Sequence, residues 1–331
     1  MNFDQLFASF SKSNILIVGD VMLDTYWWGQ VDRISPEAPV PIVALNNKEL
    51  RVGGAANVAL NTASLGASTA IISVIGKDAD GDQLLSMLKA HHINVDNIIS
   101  SPKRLTTNKM RVMSRNQQMM RLDAEITSDI DIELEDQLIN SILNYIEANN
   151  PQVLIFEDYN KGVLTKKVIE AVTAICLEKK IITAVDPKRK NFLAYKNVTL
   201  FKPNLKEVKE GLHILIDQIN GESLNAIHNA LRKELNHLVS FITLSEKGVY
   251  YQIADEMAII PTHIRNIADV SGAGDTVIAV ASLVYASTGN MLLAAEMANI
   301  AGGLVCEEVG TAAINKHKLL TECKLLLSNK V

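Results

Sequence analysis

Short apolar runs rich in β-branched residues alternate along this chain with stretches whose apolar positions recur every three or four residues. The runs Ile15–Val18, Ala70–Ile75, Val153–Phe156, Ile181–Val185, Thr199–Phe201 and Phe241–Leu244 predict strands, being too short for helices and lacking a helical period. Between them lie segments such as Asp131–Ala148, where Leu134, Leu138, Ile142 and Ile146 repeat every fourth residue and acids occupy the first turn. That pattern predicts an amphipathic helix with its positive end matched by carboxylates. Regular strand–helix alternation predicts an α/β, doubly wound and mainly parallel sheet with helices on both faces. No internal repeat or low-complexity linker divides the pattern, so residues 1–331 read as a single domain.

Two stretches break the alternation. In Tyr26–Val52 the apolar positions Val40, Ile42 and Ala44 alternate, but Pro36, Pro39 and Pro41 intervene. Proline cannot donate to a ladder, so the segment suits edge strands. Thr106–Asp123 also reads as extended, with Met110, Val112, Met119 and Leu122 set among Lys109, Arg111, Arg115 and Arg121. Together, segments 25–52 and 106–123 predict a small β lid over the carboxyl ends of the main strands, where open α/β sheets bind ligands. The tandem Trp27–Trp28 would point to opposite faces of it.

Composition narrows the function class. The net charge is −5 over 331 residues, with acids and bases interspersed. A nucleic-acid partner would call for a clustered basic excess. The start has no basic segment leading into an apolar one, and no apolar run approaches a membrane span. Cys176, Cys306 and Cys323 are widely spaced and read as reduced core thiols. A cytoplasmic protein is expected.

The strongest chemical signal is Asp269-Val-Ser-Gly-Ala-Gly-Asp-Thr276, followed by an apolar helical run. Glycines at 272 and 274 allow a tight turn whose amides, with the positive helix end, can hold a phosphoryl group. Asp275, in the first helical turn beside that hole, can accept a proton from an attacking hydroxyl. There is no GxxxxGK[ST], no HRD or DFG set, no complete GxGxxG fingerprint, no HExxH and no GxSxG. Upstream, Ile15–Val18 runs into Gly19-Asp20-Val-Met-Leu-Asp24, two acids suited to bind vicinal sugar hydroxyls. Gly53-Gly54-Ala-Ala-Asn57 opens a helix ending at Gly66, with a backbone a ligand can approach and an amide beside it. Phe201-Lys-Pro-Asn204-Leu-Lys-Glu207 follows a strand; Asn204 and Glu207 resemble a capping pair and could hold Mg²⁺ through water.

In this order and spacing, Gly53–Asn57, Asn204–Glu207, Thr243-Leu-Ser-Glu-Lys-Gly248 and Asp269–Thr276 resemble the ribokinase-like (PfkB-type) carbohydrate kinases over nearly the whole chain. The resemblance implies a doubly wound sheet with a β lid often used for dimerisation. ATP would lie along the C-terminal half, with Asn204, Lys206, Glu207, Ser245, Lys247 and Gly248 near it. It also implies Asp275 as the base, Ser271, Gly272, Ala273 and Gly274 as the anion hole, and Mg²⁺ at Glu207, with a monovalent cation left open. Lys206 departs from the small polar residue common there. A narrower set, Gly19–Asp24, Arg33-Ile-Ser-Pro-Glu-Ala-Pro-Val-Pro41 and Arg111-Val-Met-Ser-Arg-Asn-Gln-Gln118 with Arg121-Leu-Asp123, resembles the kinase domain of bacterial heptose-7-phosphate kinases. Asp158-Tyr-Asn-Lys-Gly162 and Asp186-Pro-Lys188 fit the same group. Those enzymes phosphorylate the anomeric hydroxyl of D-glycero-β-D-manno-heptose 7-phosphate, toward ADP-heptose and lipopolysaccharide core. In some relatives the domain is fused to a nucleotidyltransferase with HxGH; the seven histidines here form no such motif, so only the kinase step is expected.

A sugar phosphate requires cations that a plain sugar does not. Lys109, Arg111, Arg115 and Arg121 are the expected clamp, with 109 and 111 on one face and 115 and 121 together if no bulge intervenes. Asp158, Lys161 and Lys188 complete the substrate set. The competing readings are another sugar kinase of this fold and a non-catalytic sugar or nucleotide sensor.

Overall fold

The computed structural model describes residues 2–328 except 116 and 217. An eight-stranded sheet runs in the order Glu256–Ile260, Val249–Ile253, Val239–Thr243, Leu200–Phe201, Ile182–Asp186, Val153–Glu157, Asn14–Gly19, Ser68–Ile72. Its first two members form an antiparallel hairpin absent from the expected strands, the second of them also pairs antiparallel with Val239–Thr243, and the remaining neighbours pair in parallel.

The central strands read as unbroken apolar runs because each face packs a separate core. Ile15, Ile17, Val153 and Ile155 lie in one core, with the helices Ala55–Leu65, Ala273–Thr288 and Met291–Val305. Leu16, Val18, Leu154 and Phe156 lie in the other, with Ile132–Asn149, Lys166–Glu178 and Gly221–Leu235. Such burial on both faces is what a doubly wound sheet demands. The helix expected at 131–148 starts after Asp131, whose carboxylate caps the Leu134 amide at 3.0 Å. The strand expected as Ala70–Ile75 is split instead. Ser68–Ile72 stays in the main sheet, while Val74–Gly76 pairs with Ile99–Ser101. The break falls at Ser73, whose hydroxyl donates to the Gly19 carbonyl at 2.6 Å.

A four-stranded sheet, ordered Pro41–Gly54, Val21–Ile34, Thr107–Ser114, Gln117–Ala124, forms the lid. Its second strand begins one residue past Asp20, so lid and main sheet are continuous through Gly19–Val21. Trp28 stacks with Tyr26, ring centroids 6.1 Å apart, and Trp27 on the opposite face lies under Lys48. All three cysteines are unpaired and buried. Among the described residues no helix is long and apolar enough to cross a membrane.

Candidate active site

The site forms where the carboxyl ends of the parallel strands meet the lid and the start of the helix Ala273–Thr288. Gly272 caps that helix at φ 78°, and a side chain there would also press to 2.7 Å from the Asn57 amide nitrogen. Only glycine satisfies both conditions. The amides of Gly274 and Asp275 precede the first intrahelical bond, which Thr276 donates to Gly272 at 3.0 Å. They therefore face out of a positive helix end. The Ala273 amide turns back to the Val270 carbonyl at 3.3 Å, which removes it from the expected anion hole. Ser271 is also engaged, its amide and hydroxyl both donating to Asp269 Oδ1 at 2.9 and 2.8 Å. Asp269 Oδ2 accepts from the Gly310 amide, bracing the turn.

Asp275 is 3% exposed, and burial pushes its carboxyl up to about 6. Two donors hold it ionised: Asn57 Nδ2 to Oδ2 at 2.8 Å and Tyr159 Oη to Oδ1 at 2.8 Å. Asn57 is thus not the sugar contact expected of it. It is fully buried, its nitrogen is spent on Asp275, and its oxygen accepts from Asn61 at 3.2 Å. Asn61 in turn accepts from the Thr276 hydroxyl and the Ile314 amide, locking the two helices that meet at Asp275.

Asp20 is also corrected. It is 1% exposed and accepts three backbone amides, from Tyr159, Lys161 and Val163, at 2.8 to 3.1 Å. Those bonds shape the loop after Val153–Glu157, and burial turns the carboxylate away from the open site. Asp158 lies behind that loop and is held by Asn191, Tyr195 and the Asn160 amide, so it too is structural. Gly54 has φ 58°, and a side chain there would meet the Asp20 carbonyl at 2.5 Å. The glycine pair therefore serves the junction of lid and sheet.

Asp24 is 3% exposed and pairs with Arg111 of the lid. Lys109 and Arg111 share a face, each over an aromatic ring: Lys109 over Tyr159 at 5.2 Å and Arg111 over Tyr26 at 5.2 Å. Arg121 lies directly across the ladder from Arg111, hence on the same face, and bonds Asp123. A register shift between Val112 and Met113 breaks the expected pairing of 115 with 121. Arg115 sits exposed at the turn with φ 48°, away from the others. Lys161 pairs with Glu125 at 2.7 Å. Burial lowers the Lys109 ammonium, and the neighbouring Lys161, Arg121 and Arg111 push the same way.

Lys188 also lies over the Tyr159 ring at 5.2 Å and reaches Glu207 at 2.8 Å and Asp186 at 3.3 Å. Its commitment to these two acids places it with the Asn204 segment and not in the lid cluster. Asn204 and Glu207 form a complete capping box, each bond 2.8 Å. A bridge between Asn204 and Thr243 sets this helix start beside the turn Ser245–Lys247, where Ser245 (φ 58°) and Gly248 (φ 97°) reverse the chain. Lys206 is exposed, within 3.9 Å of Glu210.

Sequence reasoning missed Glu157 and gave no role to Tyr159, Asp186 and Lys202, which it quoted only within motifs. Strand order brings Glu157 and Asp186 together: Asp186 is in register with Glu157 on the neighbouring strand. Glu157, Asp186 and Asp275 place carboxylate oxygens within 4.8 Å of one another. Lys202 meets Asp186 at 2.8 Å, while both oxygens of the fully buried Glu157 have no hydrogen-bond partner among the described residues. Burial, with Asp186 and Asp275 nearby, raises the Glu157 carboxyl well above its usual range. An oxygen-only, acid-rich set with an orphaned carboxylate fits Mg²⁺, which takes few protein ligands and keeps its waters.

A family model described as pfkB family carbohydrate kinase matches residues 12–318. This chain belongs to that family. The pfkB-type fold recurs in phosphofructokinase-2 from Escherichia coli in complex with potassium, with TM-score 0.80, 18% identity, and 96% and 99% of the two chains covered. It recurs in Arabidopsis thaliana ribokinase complexed with ribose and ATP, with TM-score 0.72, 14% identity, and 93% and 98% covered. At these identities the likeness shows the fold alone. Curated relatives include proteins named bifunctional protein HldE. That of Geobacter metallireducens (strain ATCC 53774 / DSM 7210 / GS-15) is 37% identical over 325 residues, 96% of this chain and 64% of the relative. That of Campylobacter curvus (strain 525.92) is 39% identical over 304 residues, 92% of this chain and 64% of the relative. The chain thus spans under two thirds of the length of these relatives. As a pfkB family member it is an ATP-dependent sugar kinase.

Proposed function

We propose that this kinase phosphorylates the anomeric hydroxyl of D-glycero-β-D-manno-heptose 7-phosphate, giving the 1,7-bisphosphate for ADP-heptose and lipopolysaccharide core synthesis. The observation that carries this reading is the cationic face of the lid. Lys109 and Arg111 lie there with Arg121 across the ladder, and Lys109 is one aromatic ring away from Asp275. A ligand with a hydroxyl at one end and a phosphate at the other suits that polarity. The narrower sequence resemblance and the HldE relatives support the same substrate.

In this reading the acceptor hydroxyl gives its proton to Asp275 Oδ1 as its oxygen attacks the γ-phosphorus. The bond from phosphorus to the β–γ bridging oxygen breaks, and ADP leaves with that electron pair. The amides of Gly274 and Asp275 face the transferring group. Mg²⁺, held by Glu157 and Asp186 and through water by Glu207, would neutralise charge on the nucleotide phosphates. Ser245, Lys247 and Gly248 border the nucleotide. The lid exposes Met120, Leu122 and Leu45, which supports a homodimer formed through the lid.

A coupled ADP-release assay over sugars and sugar phosphates tests the substrate. Heptose 7-phosphate should give the highest kcat/KM, and removing its phosphate should cost roughly ten- to a hundredfold. Equal rates with the unphosphorylated heptose would refute the clamp. The pH profile tests the base. A proton acceptor near pH 6 works when ionised, so kcat/KM should fall about tenfold per unit below that pH. A profile flat down to pH 5 would contradict it.

A further inference from the structure

Both carboxylate oxygens of Asp275 already carry a donor, Asn57 on Oδ2 and Tyr159 on Oδ1, each at 2.8 Å. The two donors differ in how firmly they are held. Asn57 is fully buried on a packed helix and bonded to Asn61. Tyr159 is only partly buried, on the loop that follows Val153–Glu157. Its backbone is fixed by Asp20, but its ring meets two ammonium groups, each 5.2 Å from the centroid. Lys109 belongs to the lid and Lys188 to the group of Asp186 and Glu207.

We infer that Tyr159 is the positioning residue of the base and its substrate-dependent cap, holding Oδ1 until the acceptor hydroxyl takes its place. This rests on Asp275 being the base. A carboxylate beside an activated phosphate can deprotonate water as readily as a sugar hydroxyl, and water is always present. While the phenol occupies Oδ1, water must compete with it for that oxygen, and ATP hydrolysis is slowed. Entry of the sugar phosphate engages Lys109 and Arg111, loosens the grip of Lys109 on the ring, and lets the phenol yield Oδ1 to the incoming hydroxyl. The proton then moves from that hydroxyl to Oδ1 while its oxygen forms the bond to phosphorus. Asn57 keeps Oδ2 throughout, so the carboxylate does not turn.

The test is Tyr159→Phe in the full chain, which keeps the ring against the two ammonium groups and removes only the hydroxyl. With heptose 7-phosphate, ATP and Mg²⁺, kcat and both KM values should stay within about threefold of wild type, because the phenol has already left Oδ1 when the proton moves. ADP release from ATP without sugar should rise by roughly tenfold, the scale of one hydrogen bond to a charged group. The rise should vanish in the double variant Tyr159→Phe, Asp275→Asn, because the water would then lack its base. A merely structural tyrosine would not raise hydrolysis. As a readout independent of turnover, heptose 7-phosphate added with a non-hydrolysable ATP analogue should give a tyrosine ultraviolet difference band in the wild type. Tyr159→Phe should lack it. Wild-type hydrolysis in Tyr159→Phe, or an unchanged difference band, would overturn the cap. Full turnover in Asp275→Asn alone would instead remove the base reading, so the two failures are distinguishable.

Discussion

Replacing Asp275 by Asn lowers kcat by about 10²–10⁴, the usual contribution of a general base. The substitution keeps the side chain's size and changes only what it can accept. Asn57 can still donate to the remaining carbonyl oxygen, and Tyr159, whose hydroxyl also accepts, can face the new amide. The helix start and the Gly272 turn are therefore expected to persist. Removing a buried carboxylate also relieves the desolvation that pushes Asp275 up to about 6, so the melting temperature should not fall. Calorimetric ATP affinity should stay within about twofold, because the Asn204–Glu207 box and the Ser245–Lys247 turn are untouched. Loss of kcat with intact ATP binding and stability assigns the residue to the chemical step. Turnover near wild type would end the assignment.

The second large effect is expected at Arg111. Its side chain is 14% exposed and that of its partner Asp24 is 4% exposed, so the pair lies largely out of water. Burial works against the guanidinium's charge, and Asp24 more than restores it. Arg111→Ala should raise KM for heptose 7-phosphate by roughly ten- to a hundredfold and leave KM for ATP little changed. It should also destabilise the protein, by up to about 3–5 kcal/mol, because the Asp24 carboxylate is left unpaired in the lid. Stability and binding are separated by Arg111→Lys, which keeps the charge near Asp24 but loses the planar fork that grips a phosphate. That variant should regain most of the melting temperature and little of the affinity. Arg115→Ala is the control: an exposed turn residue should change neither. If Arg111→Lys and Arg111→Ala bind the sugar phosphate like wild type, the phosphate is not held on this face.

Much of the fold was legible because the signals involved are local. Apolar runs at Ile15–Val18 and Val153–Phe156 are continuous because both faces are buried, and no other arrangement explains that pattern as simply. The Gly272 turn, the Asn204–Glu207 box and the Asp131 cap are each written within a few residues, so spacing alone exposes them. The hairpin Val249–Ile253 and Glu256–Ile260 was missed because its turn, centred on Ala254 at φ 49°, carries no glycine or asparagine to announce it.

The sequence by itself determined the α/β class, the strands of the small sheet, the glycine turn before Asp275, and the family. Each depends on residue type and spacing along the chain. Only the tertiary structure decided what the polar groups do. Asp20, Asn57 and Asp158 look like ligands in the sequence, yet each is buried and bonded to loop amides, Asp275, or Asn191 and Tyr195. Tyr159 looks like an ordinary aromatic, yet it touches the candidate base and meets both the lid and the group around Glu207. Glu157 and Asp186 lie 29 positions apart and meet only because their strands are neighbours. The reason is physical: a hydrogen bond or ion pair is set by distance and burial in three dimensions, and the order of residues along the chain does not contain strand order.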